Sequence, residues 1–174
     1  MGDSEELQKY IRDIPDFPKP GILFRDLTPL LGNAGALKRA IHAMAAPFRG
    51  ERVDYVVGTE ARGFIFGAPV AVELGVGFVP ARKPGKLPHA TFEASYALEY
   101  GTDHVQMHAD ALPPGSRVLI VDDLIATGGT AVATVDLVRQ SKAIVVGCAF
   151  LIELCFLNGR ATLGALPCHT VIQY

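Results

Sequence analysis

The chain has no tryptophan, only three cysteines and three methionines, and no large excess of charge of either sign. Each scarcity excludes something. Cys148, Cys155 and Cys168 are odd in number and show no metal-ligand spacing, so neither a disulfide framework nor a cysteine-held metal is expected. They read as buried thiols of a reducing compartment, and the expected location is cytoplasmic. A formal net charge of −2 offers no general surface for nucleic acid or an anionic membrane, so any anion site must be local. The longest apolar run, residues 143–152, is too short to span a bilayer. The acidic opening MGDSEELQKY does not read as a signal peptide. What remains is 174 residues, 49% apolar and 20% charged, enough for one domain that buries its own core.

The most informative stretch is RVLIVDDLIATGGT, residues 117–130. Residues 118–121 form a short apolar run, β-branched at three of four positions, which suits a strand buried on both faces of a parallel sheet. Asp122 and Asp123 stand where that strand should end. Ala126, Thr127, Gly128, Gly129 and Thr130 follow, and residues 131–140 read as a helix. Glycines leave no side chain between backbone N–H groups and a ligand, and N–H groups at a helix start favour an anion. Thr127 and Thr130 add hydroxyl donors. Carboxylates repel phosphate but accept hydrogen bonds from hydroxyls, so a sugar diol beside a phosphate fits best. The ligand this implies is a ribose phosphate. A triphosphate loop would require Gly-Lys-Ser/Thr, and a dinucleotide fold G-x-G-x-x-G; neither is present here.

The rest of the chain alternates strand and helix. Residues 5–14 read as a short helix with Ser4 as a possible cap, followed by a loop stiffened by Pro15, Pro18 and Pro20. Residues 22–26 read as extended, with Phe24 a plain core aromatic on local grounds. Leu37, Ile41, Met44 and Phe48 mark one face of a helix over residues 36–48. A second apolar strand, residues 53–57, leads through GTEARG into a helix over 64–74 interrupted by Pro69. This second loop carries Arg62, whose fixed donors suit another anionic group. After a strand at 76–81 come Arg82, Lys83 and Lys86 in an exposed basic loop, and residues 82–100 read as a flexible cover. Residues 103–108 form a strand, paired as a hairpin with the region 92–99. His89, His104 and His108 lack metal-ligand spacing. Residues 143–152 form the next buried strand, and 170–173 a final extended piece. The helix before residue 143 ends at Gln140-Ser141-Lys142 without the glycine expected at its end. The fold class expected is α/β, a mostly parallel central sheet flanked by helices, with ligands beyond the carboxyl ends of the strands.

VDDLIATGGT resembles the 5-phosphoribosyl-1-pyrophosphate motif of type I phosphoribosyltransferases. FPKPGILFRD, GTEARGF, RKPGKLP with ASYALEYG, and VDDLIATGGT are similar, in order, to segments of the adenine phosphoribosyltransferase family. They sample most of the first 130 residues. The resemblance implies a single transferase domain over residues 1–174 with an N-terminal hood over about residues 1–34. Residues 126–130 would cradle the 5-phosphate, and Asp122 and Asp123 would hold the ribose hydroxyls. Arg62, Arg82, Lys83 and Lys86 would face the pyrophosphate. Leu23, Phe24 and the Arg25 backbone, with Leu154 on the opposite ring face, would bind adenine. Glu99 would be the catalytic acid/base. A non-proline cis peptide is implied near Glu60-Ala61. Mg²⁺ is the implied cofactor, held mainly by substrate and water with no protein ligand set. A homodimer is implied, with no nucleic-acid or membrane partner.

Two other readings differ in defined ways. A sibling transferase for hypoxanthine or xanthine would carry another hood, against which FPKPGILFRD speaks. A sensor of the diphosphate sugar would be free to lose Glu99 and the basic loop, and both are present.

Overall fold

A computed structural model describes residues 2–97 and 101–174. Helix α1 (Asp3–Gln8) opens the chain, and β1 (Arg12–Pro15) then pairs antiparallel with β2 (Leu23–Asp26), Arg12 opposite Asp26 and Pro15 opposite Leu23. The helix expected over residues 5–14 is thus cut short, and its second half is a strand. Gly2, not Ser4, occupies the N-cap, with no side-chain capping bond. Residues 12–15 find ladder partners across a turn in which Gly21 takes a positive φ and donates its N–H to Asp16. Arg12 with Asp26 and Arg25 with Asp13 add opposite charges between the strands.

Helices α2 (Thr28–Leu31) and α3 (Ala34–Ala45) follow, α3 capped by the Asn33 side chain accepting from the Ala36 N–H at 2.9 Å. A 3₁₀ turn, Ala46–Phe48, completes the expected helical stretch, with Met44 and Phe48 buried. The chain then runs β3 (Tyr55–Thr59), α4 (Arg62–Leu74), β4 (Gly77–Ala81), β5 (Thr91–Ala97), β6 (Thr102–His108), β7 (Arg117–Ile125), α5 (Gly129–Gln140), β8 (Ile144–Glu153) and β9 (Cys168–Gln173). Helix α4 continues through Pro69. Helix α5 ends without glycine because Lys142 itself adopts the left-handed φ of +61°, its N–H donating to the Arg139 carbonyl.

Five strands form one parallel sheet in the order β4-β3-β7-β8-β9. The central strand β7 is buried on both faces because its apolar residues alternate between two cores. Val118 and Ile120 pack with Val135, Leu137 and Phe150 on the α5 side. Leu119 and Val121 pack with Met44, Phe66 and Val70 on the α3–α4 side. A separate antiparallel hairpin, β5–β6, covers the α5 side, with Ala94 opposite Val105 and Phe92 opposite Met107. The hairpin expected between the region 92–99 and residues 103–108 is thus present, and within the cover expected over residues 82–100 it makes Thr91–Ala97 a strand. Alternation of Phe92, Ala94 and Tyr96 toward the core carries the signal.

From β3 the chain crosses to β4 on one side, and from β7 to β8 on the other. The loops leaving these neighbouring strands diverge and leave a crevice at their carboxyl ends. Among the described residues no helix is long and apolar enough to cross a membrane.

Candidate active site

A cavity of about 480 Å³ occupies that crevice. Asp122, Asp123 and all of residues 126–130 line it from the β7 side, and Arg62, Arg82 and Lys83 from the other. The sequence segments assigned separately to phosphate, ribose and pyrophosphate thus converge on one space. Gly128 precedes α5 with φ +87°, a left-handed conformation that glycine adopts without a Cβ clash. The first-turn N–H groups of α5 have no intrahelical acceptors and, at the positive end of the helix, are suited to an anion.

The acidic pair is held from below. Asp122 Oδ1 accepts from the Asp123 N–H at 2.8 Å. Its carboxylate packs so closely on the first turn of α4 that a Cβ at Gly63 would lie 2.6 Å from Oδ1. Burial pushes the Asp122 carboxyl well above the usual range, and the neighbouring Asp123 charge adds to the shift, while Arg62 opposes it. Arg62 answers this negative charge directly, its Nε lying 2.6 Å from Asp123 Oδ2.

Arg62 begins α4 immediately after the Glu60–Ala61 peptide, which is cis as the resemblance implied. Its guanidinium also lies 5.8 Å from the centroid of the Phe24 ring, within reach of the ring face. Phe24 in turn meets Phe17 edge to face, with centroids 5.1 Å apart. Through Phe24, β2 thus touches Arg62, which lines the cavity. Leu23 is exposed, and Arg25 is engaged with Asp13 while its guanidinium lies 3.7 Å from the Tyr174 ring centroid. Leu154 is half-buried and donates its N–H to the Ile125 carbonyl at 3.0 Å. Leu23, Phe24, Arg25 and Leu154 do not line the 480 Å³ cavity; they lie outside it. Glu99 lies outside the described residues.

The basic loop is already matched to carboxylates, which sequence reasoning did not anticipate. Arg82 donates to both Glu60 oxygens at 3.2 and 3.4 Å, Lys86 pairs with the same carboxylate, and the Lys83 N–H donates to it at 3.1 Å. Lys86 reaches the cavity only through Glu60. The Lys83 ammonium pairs instead with Asp103 and donates to the Tyr96 hydroxyl at 2.8 Å; that hydroxyl donates to Asp103. Burial alone would raise the Glu60 carboxyl, but hydrogen bonds from Lys86, Arg82 and the Lys83 N–H outweigh it and hold it at about 2. The only local hint was an acidic residue between two glycines, Gly58 and Gly63; its partners are 22 to 26 positions away.

The central strand does not end at the acidic pair but carries it and runs on to Ile125. A parallel sheet with such a pair, then a glycine-hydroxyl loop and a helix start, defines a phosphoribosyl-transferring domain, and the family described as "Phosphoribosyl transferase domain" matches residues 30–162. The chain is 61% identical over 157 residues to an adenine phosphoribosyltransferase of Thermobifida fusca, covering 90% of this chain and 89% of that one. It is 58% identical over 170 residues to that of Methylobacterium nodulans, covering 97% and 94%. Among solved structures it superposes on adenine phosphoribosyltransferase of Rhodothermus marinus with a TM-score of 0.93 at 55% identity, covering 99% of this chain and 98% of that one. The Saccharomyces cerevisiae enzyme complexed with an imino-altritol bisphosphate and adenine gives 0.92 at 44% identity, covering 97% and 98%. The chain belongs to the adenine phosphoribosyltransferase family.

Proposed function

We propose that the chain transfers the phosphoribosyl group of 5-phosphoribosyl-1-pyrophosphate to adenine, giving AMP and pyrophosphate, as a step of purine salvage. The observation that carries this reading is the convergence of the 126–130 loop, the Asp122–Asp123 pair and Arg62, Arg82 and Lys83 on one cavity. Three parts of one substrate, phosphate, diol and diphosphate, find matching donors and acceptors in the order they are bonded.

In the reaction the bond from ribose C1 to the diphosphate oxygen breaks, a purine nitrogen bonds to C1, and the ring proton leaves. Residues 126–130 fix the 5-phosphate, which holds C1 in place against the base. Asp122 and Asp123 accept from the ribose hydroxyls, and their negative charge favours the oxocarbenium character that develops on the sugar. Arg62, Arg82, Lys83 and Lys86 face the departing diphosphate, for which Arg62 exchanges Asp123 and the loop cations exchange Glu60 and Asp103. Phe24 and Leu154 hold the adenine ring, with Leu23 beside it and the Arg25 backbone reading its edge. Glu99 takes up the ring proton.

Mg²⁺ is the cofactor of this reading. The carboxylate oxygens of Asp122 and Asp123 that line the crevice suit a hard cation, whose remaining positions diphosphate oxygens and water would fill. When bound, it supplies positive charge to the leaving group. The reading further places the enzyme in the cytoplasm, in keeping with three free cysteines, and as a homodimer. An exposed apolar groove along α3 and α4, lined by Leu37, Ile41, Pro69 and Val72, supports a second copy of the chain as partner, and light scattering after size exclusion tests it.

The deciding experiment offers adenine, hypoxanthine, guanine and xanthine with the diphosphate sugar and Mg²⁺. Turnover with adenine alone is expected. Turnover with another base would keep the mechanism and overturn the assignment of Leu23, Phe24 and Arg25. Sugar binding without turnover would make the chain a sensor.

A further inference from the structure

The segment after β8 brings its backbone directly against the phosphate loop. Gly128 and Gly159 are packed so tightly that a Cβ on Gly128 would lie 2.6 Å from the Gly159 carbonyl oxygen, and one on Gly159 would lie 2.9 Å from the Gly128 nitrogen and closer still to the Ala126 carbonyl. The phosphate loop therefore rests on the backbone at Gly159, and the position of Gly159 sets the position of the loop.

Gly159 is itself held by charge. It begins the 3₁₀ turn Gly159–Leu163, and the next residue, Arg160, reaches back to the end of β8. Arg160 Nε donates to Glu153 Oε1 at 3.0 Å and Nη2 to Oε2 at 2.5 Å, a two-point pair. Arg160 also donates to the Cys168 carbonyl at 2.5 Å and to the Thr170 hydroxyl at 2.9 Å on β9. Glu153, only 6% exposed, further accepts from Thr170 at 2.9 Å and Gln173 at 3.1 Å. On the other side of Gly159, Thr162 donates its hydroxyl to the Gly159 carbonyl at 2.7 Å, and Leu163 is buried against the α5-side core. A chain of contacts thus runs from β8 and β9 through Glu153, Arg160 and Gly159 to Gly128. Fixed bidentate pairs of this kind are suited to locking backbone geometry rather than to adding net stability.

We infer that Glu153, Arg160 and Gly159 form a brace that holds residues 126–130 in their phosphate-binding geometry, making them positioning residues for the sugar substrate. This rests on the reading of residues 126–130 as the cradle of the 5-phosphate. Arg160 acts at a distance: it touches no substrate, but its loss lets Gly159, and with it the N–H groups beyond Gly128, drift from the phosphate. Displacements near 1 Å in such a site cost on the order of 100-fold.

The test measures ribose 5-phosphate affinity by calorimetry, KM for each substrate, and melting temperature for Arg160→Lys, Arg160→Met and Gly159→Ala, with Thr130→Val as a direct probe of the loop. Affinity for ribose 5-phosphate should fall roughly 10- to 100-fold in Arg160→Met and Gly159→Ala, and less in Arg160→Lys, which restores the charge but not the fork. KM for the diphosphate sugar should rise several-fold more than KM for adenine. Arg160→Lys keeps the proposal open to refutation if Gly159→Ala fails to fold. If Thr130→Val weakens ribose 5-phosphate binding and the brace variants lower only the melting temperature, or raise both KM values equally, the brace is overturned and the loop assignment stands. If Thr130→Val has no effect on that affinity, the cradle reading fails and the brace fails with it.

Discussion

Arg62 Nε lies 2.6 Å from Asp123 Oδ2, so the side chain assigned to the leaving group is held by one assigned to the ribose. The diphosphate sugar must separate them, the diol taking the carboxylate and the diphosphate taking the guanidinium. Arg62→Ala is expected to lower kcat/KM by on the order of 10²–10³, the usual loss on removing a charge-stabilising donor. Arg62→Lys should recover only part of it, because an ammonium lacks the planar fork. Steady-state kinetics of both variants check this; equal rates for Lys and wild type would place Arg62 outside the chemistry.

Asp122 opposes folding and serves binding. Its carboxyl is raised by burial and by Asp123, so the folded state binds the proton more tightly than the unfolded chain. The stability contribution therefore falls as pH rises from the ordinary carboxylate value through the raised one. At neutral pH Asp122→Asn should raise the melting temperature of the ligand-free protein, by roughly 2–4 °C for each kcal/mol of relief. The same change should weaken diphosphate-sugar binding by about 10- to 100-fold. Calorimetry gives both readings, and a variant that neither gains stability nor loses affinity contradicts the assignment.

Gly63 keeps a space for the Asp122 carboxylate. Gly63→Ala would place a Cβ 2.6 Å from Asp122 Oδ1 and 3.3 Å from the Val121 carbonyl oxygen. Displacement of the carboxylate should raise KM for the sugar without changing KM for adenine, at an overpacking cost of about 1–3 kcal/mol. Urea unfolding and paired KM measurements separate the two effects.

Glu60 and Asp103 make stability acid-sensitive. Hydrogen bonds and charges from Lys86, Arg82 and the Lys83 N–H overcome burial to hold Glu60 at about 2, and Lys83, with Tyr96, holds Asp103 at about 2. Both values lie below the ordinary 4.5 and 3.8, so the unfolded chain binds more protons than the folded one in this range. The stabilisation is fully present above about pH 4.5 and is lost as pH falls toward 2. Glu60→Gln should flatten the pH dependence of unfolding free energy in that window. An unchanged slope between pH 5 and about pH 3 would show that Glu60 is not held by the basic loop.

Much of the fold was legible because the strands that build it are local patterns. The runs that became β3, β7 and β8 were readable as buried parallel strands, and the glycines and threonines after β7 named a phosphate site before any neighbour was known. One reading failed where the deciding contact is nonlocal. Residues 12–15 carry no strong strand signal of their own and become a strand because residues 23–26 lie across the turn. The hairpin expected between the region 92–99 and residues 103–108 did form, its alternation placing Phe92 and Ala94 opposite Met107 and Val105.

The sequence by itself determined the chemistry: an acidic pair followed by a glycine-hydroxyl loop and a helix start is contiguous, and its donors and acceptors are set by residue type. Only the tertiary structure decided which charges face one another. Arg62 meets Asp123, and Arg82 and Lys86 meet Glu60, because parallel crossovers bring the carboxyl ends of separate strands to one rim. Pair energies fall off within a few ångströms, and composition along the chain carries no such distances.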